Sequence, residues 1–325
     1  MDARTKSVSF LLCLAMIWIA GPVHADWRQS VRALRIGVVA GENPAAAVQR
    51  ATPLALYLEK TLRIGVDVVP FRSLKAVGDA QAGGRVDIAA YSATGFVATN
   101  AACQCLEAVA VPKAEDGNAF FYAIAVTRRE DGVQSLTDLQ GRAVAMGPQT
   151  ATAAHIVPVA VIATDGKAPS DFFAETTEYS DHVAALSALM AGDLDAVFTW
   201  SSMIGDIQSG YSRGPLRRAV RQGAVNMADI DIAWQSVPIP HGPVTIRANL
   251  PDDLRATLRT LVLNLYDADP DAYFAIETWY GYGFVPPKMP LYEVFADLLG
   301  YKPPPPPTEV KVEDDSEPTS SQPNK

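Results

Sequence analysis

Two stretches of this sequence resemble each other closely. The first, AGGRVDIAAYSATGF, runs from Ala82 to Phe96, and the second, AGDLDAVFTWSS, runs from Ala191 to Ser202. In each stretch a helix-like run ends at glycine, and an aspartate precedes a short apolar strand that ends among hydroxyl side chains. The aspartates, Asp87 and Asp195, hold matching positions, and turn chemistry gives both a structural role where helix passes to strand. The two stretches together predict two similar halves, each with a strand that ends in a polar exit.

The remaining pattern alternates strand-like and helix-like segments, which is typical of an α/β fold with two mixed, mostly parallel sheets and flanking helices. LRIGVV (34–39) and VDVVPF (66–71) have the length and composition of strands. Leu54, Leu58 and Leu62 lie four residues apart, which predicts one apolar face of a helix between these strands. Ligands of such sheets bind beyond the carboxyl ends of the strands. We therefore expect the two polar exits to face each other across a cleft.

The ends of the 325-residue chain do not read as parts of the fold. Residues 1–25 combine basic residues, an apolar run too short to span a bilayer and a small-residue cleavage site, which predicts a secretory signal rather than an uncleaved anchor. Residues 301–325 begin with a run of prolines and predict a disordered, Pro-rich acidic tail. The remaining length predicts two lobes, with residues 26–121 and 237–300 in the first and 122–236 in the second.

Charge and composition exclude several classes of function. The formal net charge is −9 and there is no basic cluster, so nucleic acid is not an expected partner. The sequence contains no nucleophile–base constellation, no glycine-rich nucleotide loop and no metal-ligand spacing. We therefore expect no enzymatic activity, no cofactor and no metal.

An ordered series of segments between residues 34 and 265 is similar to the PhnD-like periplasmic binding proteins. The series comprises LRIGVVAGENPAAAVQRATPLALYLEKTL, AGGRVDIAAYSATGF, SLTDLQGRAVAMGPQTATAAHIVP, SDHVAALSALMAGDLDAVF and IPHGPVTIRANLPDDLRATL. The resemblance implies a two-lobed type II periplasmic binding protein with a hinge cleft. It also implies a small anionic ligand of the phosphonate, phosphite or phosphate type and import through an ABC permease, with the exported chain working in the periplasm as a monomer.

The resemblance implies a ligand loop at Ala151–Pro158, where the family pattern is Ser-Thr-Ser-Gly followed shortly by proline. Thr152 keeps the central hydroxyl, whereas alanines replace the other residues, so backbone amides at a helix N-terminus would carry much of the binding. Either threonine of this segment could instead be a simple N-cap. The candidates in and beside the loop are Thr150, Thr152, Ala153, Ala154 and His155.

Further candidates follow from the resemblance and from the strand exits. Ser180 and His182 match a second family feature that precedes a helix, although His182 could be a solvated cap. Tyr91 and Ser92 leave the first strand of the repeat, and Trp200 and Ser201 leave the second. For both aromatic residues a core position is the alternative. Asn43 follows the first strand and could offer its amide, whereas His241, in PHGP, is expected to shape the hinge.

Cys103 and Cys105 form a CQC motif with three open interpretations. The two residues could be small buried apolar side chains, or they could form a disulfide in an oxidising compartment. They could also bind a soft centre as thiolates. The last interpretation gives the alternative function, a periplasmic sensor of a soft oxyanion such as arsenite that signals to a membrane kinase.

Overall fold

The computed structural model describes residues 26–277 and 279–302. The predicted signal and all but the first two residues of the predicted tail lie outside this range. The first part of the chain alternates strands and helices. Its elements are β1 (Ala33–Val39), α1 (Pro44–Leu62), β2 (Gly65–Phe71), α2 (Leu74–Ala82), β3 (Ile88–Ala90), α3 (Ala93–Cys103) and β4 (Leu106–Pro112).

The second part carries its own strands. Its elements are β5 (Phe120–Arg128), β6 (Ala143–Met146), a π-helical turn (Thr152–Ile156), α4 (Val157–Thr164), α5 (Pro169–Phe172), β7 (Glu175–Glu178), α6 (His182–Ala191), β8 (Ala196–Ser201), α7 (Pro215–Arg221), β9 (Ile230–Gln235) and β10 (Ile239–Pro240). Short 3₁₀ turns occur at Trp27–Gln29, Arg129–Asp131 and Thr137–Leu139.

The third part returns to the first sheet. Its elements are β11 (Val244–Arg247), α8 (Asp252–Leu263), α9 (Leu265–Ala268), α10 (Pro270–Ile276), β12 (Phe284–Val285) and α11 (Met289–Leu298). None of the helices in the described part of the chain combines the length and apolarity that a membrane crossing requires.

The strands form two six-stranded mixed sheets. The first has the order β12-β4-β11-β3-β1-β2, and the second has the order β10-β5-β8-β6-β7, with β9 also paired to β5. This confirms the predicted two-sheet α/β architecture. Parallel pairing is confined to β2-β1-β3 and β7-β6-β8, and the remaining pairs are antiparallel. The sheets are less parallel than the sequence predicts because the crossing strands β5 and β11 run against their neighbours.

The parallel triplets explain the internal repeat. In each sheet the first strand lies at the centre of its triplet, and the third strand, β3 or β8, lies on one side of it. Asp87 makes two hydrogen bonds with the backbone of Arg35 in β1. Its N–H donates to the Arg35 carbonyl, and its carboxylate accepts from the Arg35 N–H at 2.8 Å. Asp195 makes the same pair of bonds with Ala143 of β6, whose N–H donates to the Asp195 carboxylate at 2.9 Å. The structural role predicted for both aspartates is confirmed.

Helix α1 shows how local sequence sets the frame of the first lobe. The side chain of Asn43 accepts a hydrogen bond from Ala46 N, and Pro44 occupies the first turn, where its missing N–H costs nothing. Leu54, Leu58 and Leu62 are buried in the core of the first sheet, as the sequence predicts. The helix therefore covers one face of the first sheet.

The chain changes sheets between Pro112 and Phe120 and again between Pro240 and Val244. The lobe boundaries at 121/122 and 236/237 remain a prediction. Strand β10, which the sequence analysis places in the return segment, pairs with β5 of the second sheet.

Candidate functional site

A cavity of about 370 Å³ lies between the two sheets, next to both crossings. The side of the first sheet contributes the end of β3, the start of α3 and the segment after α10, and the side of the second sheet contributes Phe121 of β5 and Thr152. The lining residues are Val39, Leu74, Ala90, Tyr91, Ser92, Ala93, Pro112, Phe121, Thr152, Pro240, His241, Gly242, Val244, Ile276, Glu277, Trp279 and Tyr280.

The first-lobe wall is built by the exit of β3. Ser92 is the N-cap of α3, and its hydroxyl accepts a hydrogen bond from Gly95 N at 3.1 Å. Gly242 lies so close to this exit that a Cβ on it would stand 1.8 Å from the carbonyl oxygen of Tyr91. Only glycine permits this approach, which joins the second crossing to the start of α3.

The hydroxyl of Tyr91 does not serve the cavity. It is buried and donates to Gln81 Oε1 at 2.8 Å, and burial raises its pKa. The sequence predicts Tyr91 as a ligand candidate, with a core position as the alternative. The structure corrects this to the alternative of a core aromatic, because a phenol that leaves the sheet here meets the polar end of Gln81. Tyr91 still lines the cavity.

The second-lobe wall is built by the exit of β6. Here Ala151 precedes a π-helical turn and provides no side-chain cap, so the first amides of this turn have neither an intrahelical acceptor nor a capping oxygen. Thr152 lines the cavity. Ala153 and Ala154 are buried, and the small side chains of Ala151 and Ala154 pack against Gly147. The side chains of the alanines that replace hydroxyl residues in this loop therefore pack locally, and the backbone amides at the start of the turn keep no hydrogen-bond acceptor among the described residues.

Other predicted site residues do not line the cavity. The Nδ1–H of His155 donates to the carbonyl of Gly147 at 3.1 Å, and Thr150 lies in the turn that precedes Ala151. Asn43 is occupied as the cap of α1. These contacts engage Nδ1 of His155 and Oδ1 of Asn43 in local backbone, and neither residue lines the cavity, so the structure lends no support to a ligand role for either.

The exit of β8 is covered, and the four candidates around it lie away from the cavity lining. Loop 203–214 lies over the exit, and Gly214 approaches so closely that a Cβ on it would lie 2.7 Å from Trp200 O. The ring of Trp200 packs edge-on against Phe121, 5.6 Å between centroids, and Ser201 Oγ accepts from Met203 N.

His182 and Ser180 lie at the start of α6. His182 Nδ1 and Thr199 Oγ1 are 3.1 Å apart, and burial, helped by the charge of Arg218, lowers the pKa of the histidine. Asp181, not Ser180, is the N-cap of this helix. His182 thus packs against β8. Ser180, His182, Trp200 and Ser201 lie outside the cavity lining in this arrangement of the lobes, and their contact with a ligand stays a prediction.

The sequence did not indicate His241, Glu277 and Tyr280 as ligand candidates, although all three line the cavity. The ring of His241 is stacked on Tyr280 at 3.7 Å, and its Nδ1–H donates to Pro112 O at 2.7 Å. Glu277 is buried, and its Oε1 accepts from the amides of Trp279 and Tyr280 at 2.5 and 2.7 Å. Burial raises the pKa of Glu277, although the two amides act against it. The aromatic and glycine-rich WYGYG (279–283) was the available signal for this wall.

A hinge cluster lies beside His241. Asp116, in the first crossing, accepts from Arg213 Nε at 2.8 Å and from Ser212 Oγ at 2.6 Å. Arg213 Nη2 also donates to Phe120 O at 2.7 Å. These bonds tie the covering loop of β8 to the first crossing and place a guanidinium near the cavity.

Cys103 and Cys105 are joined by a disulfide at the end of α3. This is one of the three interpretations that the sequence left open. The interpretation that these residues bind a soft ligand is wrong for this form, because neither sulfur of a disulfide is a thiolate. Among the described residues no group of three or more histidine, cysteine or acidic side chains is arranged to hold a metal ion.

Comparisons with known proteins show which family this chain belongs to and which solved structures share its fold. A family model described as ABC transporter, phosphonate, periplasmic substrate-binding protein matches residues 36–292. XAC2383 from Xanthomonas citri, solved bound to ATP, has 15% identity and a TM-score of 0.58, over 83% of this chain and 96% of that one. PhnD1 from Prochlorococcus marinus, solved with methylphosphonate, has 13% identity and a TM-score of 0.50, over 82% of this chain and 97% of that one.

These structures share the fold, that of two-lobed periplasmic binding proteins. The family works with ABC permeases and is not a class of enzymes. Because the family match spans most of the sequence, this chain belongs to the periplasmic substrate-binding proteins of ABC phosphonate transporters.

Proposed function

We propose that this protein binds a small oxyanion of the phosphonate, phosphite or phosphate type in the cavity between its sheets and delivers it to an ABC permease. The observation that carries the proposal is that a helical first turn from each lobe lines one cavity. Ser92 and Ala93 begin α3 in the first lobe, and Thr152 begins the π-helical turn that continues into α4 in the second. Free amides and the helix dipole make both termini favourable for an anion.

The size and walls of the cavity support a small ligand. Its volume is about 370 Å³, near the lower end of the range for small-molecule sites. Phe121 and Tyr280 form part of its wall, and we expect their rings to exclude water from the bound anion. Hydrogen bonds from amides to a charged group gain strength in such surroundings.

The placement of the two turns supports closure on the ligand. The lobes are connected by the segments between Pro112 and Phe120 and between Pro240 and Val244, both next to the cavity. An anion that accepts hydrogen bonds from both turns makes its full set of contacts only when the lobes lie close together. Hinge closure of this kind is common in two-lobed binding proteins.

The alternative function, a sensor of a soft oxyanion, has no observation in its favour. It depends on thiolates at Cys103 and Cys105, and these residues form a disulfide. We therefore propose an ABC permease, not a membrane kinase, as the partner. We also propose that residues 1–25 direct export, that the mature chain begins at Asp26, and that it acts as a monomer.

Isothermal titration calorimetry of the mature chain tests the function. We expect one site per chain for methylphosphonate, phosphite or phosphate. Thr152→Val should weaken binding roughly tenfold or more, because it removes a hydroxyl beside a charged ligand. Thr164→Val is the matched control, since Thr164 is exposed at the other end of α4 and its hydroxyl donates to Val161 O.

Two results would overturn the proposal. One is the absence of binding to all three anions by protein that is folded and has been freed of bound ligand by unfolding and refolding. The other is equal binding by the wild type and Thr152→Val, which would place the anion elsewhere on the surface.

A further inference from the structure

The most unusual polar atom in the cavity wall is Nε2 of His241. The residue is 1% exposed, and Nε2 finds no hydrogen-bond partner among the described residues. His241 is one of the residues that line the cavity. A buried nitrogen without a partner costs stability unless a ligand supplies the missing bond.

The hydrogen bond of Nδ1 determines whether Nε2 is a donor or an acceptor. Nδ1 lies 2.7 Å from the carbonyl oxygen of Pro112, which can only accept, so Nδ1 carries a proton. In a neutral ring Nε2 then has a lone pair and no hydrogen. It can accept a hydrogen bond from a ligand but cannot donate one.

The surroundings keep the ring neutral. Burial, together with the nearby charge of Arg213, lowers the pKa of His241 to about 3, although the hydrogen bond to the Pro112 carbonyl and the charge of Asp116 act in the opposite direction. The other titratable groups near the ring are Tyr280, stacked on it, and Glu277, in the same wall. At neutral pH the histidine is therefore an acceptor.

The cavity thus combines two kinds of hydrogen-bonding group. The first turns at Ser92 and Thr152 present N–H donors, and the wall formed by His241 and Glu277 presents acceptors. An anion that only accepts hydrogen bonds would satisfy the donors but would bring a lone pair against Nε2. An anion that also keeps an O–H proton can satisfy both.

We propose that His241 is a specificity-determining residue whose Nε2 accepts the P–OH proton of a singly charged phosphonate, phosphite or phosphate. The inference rests on the proposed function and deepens it. A sulfonate of the same shape carries the same charge but no proton, so it leaves Nε2 unpaired. The site therefore selects for protonated phosphorus oxyanions and against sulfonates.

Methylphosphonate and methanesulfonate form a nearly isosteric pair that tests this selection in the wild-type protein. By calorimetry at pH 6 we expect methylphosphonate to bind at least thirtyfold more tightly, because a site built to accept a hydrogen bond discriminates strongly against an analogue that lacks the donor. Affinities within threefold of each other would overturn the inference and leave the proposed function intact. Failure to bind either compound, or phosphite and phosphate, would overturn both.

His241→Asn tests the assignment to this residue. The Asn amide can still donate to Pro112 O in place of Nδ1, but no acceptor remains at the position of Nε2. We expect methylphosphonate to weaken at least tenfold and methanesulfonate to change less than threefold. His155→Asn is the matched control, because His155 also donates through Nδ1 to a carbonyl and does not line the cavity. Unchanged discrimination in His241→Asn would overturn the assignment.

The pH dependence of wild-type binding keeps the inference testable if His241→Asn fails to fold. Between pH 6 and 9 methylphosphonate loses its last proton, and we expect its affinity to fall by up to tenfold per pH unit above that ionisation. Methanesulfonate does not titrate, so its profile corrects for the ionisation of Glu277 and other protein groups. A methylphosphonate affinity that rises with pH relative to methanesulfonate would show that the dianion is preferred and would contradict the inference.

Discussion

The two repeated stretches share their beginning and differ at their end. In both, the aspartate before the third strand of a parallel triplet exchanges two hydrogen bonds with the central strand, through its own amide and through its carboxylate. Beyond the strand, β3 opens into the first turn of α3 and the cavity, whereas the exit of β8 is covered by loop 203–214. Equivalent topology thus does not give equivalent function, because the loop that follows a strand decides whether its exit meets ligand.

The second lobe uses a different strand for the cavity. Thr152 follows β6, the central strand of its triplet, while the first lobe contributes mainly the exit of its outer strand β3. In open α/β sheets both positions lie beside the point where the strand order reverses. The two lobes therefore meet the cavity with neighbouring, not matching, elements.

The largest expected effect on stability comes from the two glycines that pack against the strand exits, Gly242 at β3 and Gly214 at β8. Gly242→Ala would force a Cβ to within 1.8 Å of Tyr91 O, and we expect a loss of more than about 4 kcal/mol or a failure to fold. Gly214→Ala should also destabilise the protein, because Gly214 has φ near 117° and approaches Trp200 O. If Gly242→Ala folds, its ligand affinity should fall, while Gly214→Ala should bind normally.

Urea denaturation and calorimetry of the two variants check this prediction. Gly65→Ala is the control, because a Cβ there meets only Ala33 at 3.8 Å. A Gly242→Ala protein as stable as the control would mean that the second crossing does not pack against the β3 exit.

A smaller effect distinguishes the two aspartates. The carboxylate of Asp87 is 2% exposed and pairs with Arg35 and Arg247 at 3.0 and 2.6 Å, whereas that of Asp195 is 32% exposed with Arg142 at 3.8 Å. Breaking a buried pair leaves charges uncompensated, so we expect Asp87→Asn to cost about 3–5 kcal/mol. Asp195→Asn should cost about 1 kcal/mol or less. Equal losses in urea denaturation would contradict this difference in environment.

The smallest effect concerns the hydroxyls after the two strands. Ser92→Ala removes the cap of α3, which costs about 1 kcal/mol, and it should weaken phosphonate binding severalfold because α3 begins at the cavity. Ser201→Ala removes a hydroxyl that accepts from Met203 N, so its phosphonate affinity should equal that of the wild type. A reversed order in calorimetry would mean that β8, not β3, faces the ligand.

Local pattern was sufficient for much of the fold. The apolar face of α1, the helix-to-strand turns at Asp87 and Asp195 and the two sheets follow from features within about twenty residues of each other. The antiparallel entry of β5 and β11 could not be predicted in this way, because it depends on where the chain crosses between lobes.

The site was less predictable because it is assembled from distant segments. Thr152 was found through the resemblance to the family's ligand loop and Ser92 through its place at a strand exit, and both are local signals. The buried bond from Tyr91 to Gln81 and the loop that covers Trp200 depend on packing across the fold. The contact between His241 and Tyr280 joins residues that are 39 positions apart, and no pattern within either segment indicates the other.

The central claim is that two lobes close on one small oxyanion between them, and a distance measured across the cleft tests it most directly. Leu56 on α1 and Ile207 in the second lobe are exposed, and the disulfide leaves cysteines introduced at these positions as the thiols for spin labelling. Electron–electron double resonance should show one shorter, narrower distance distribution with saturating methylphosphonate than without it. Binding by calorimetry with an unchanged distance distribution would contradict the claim.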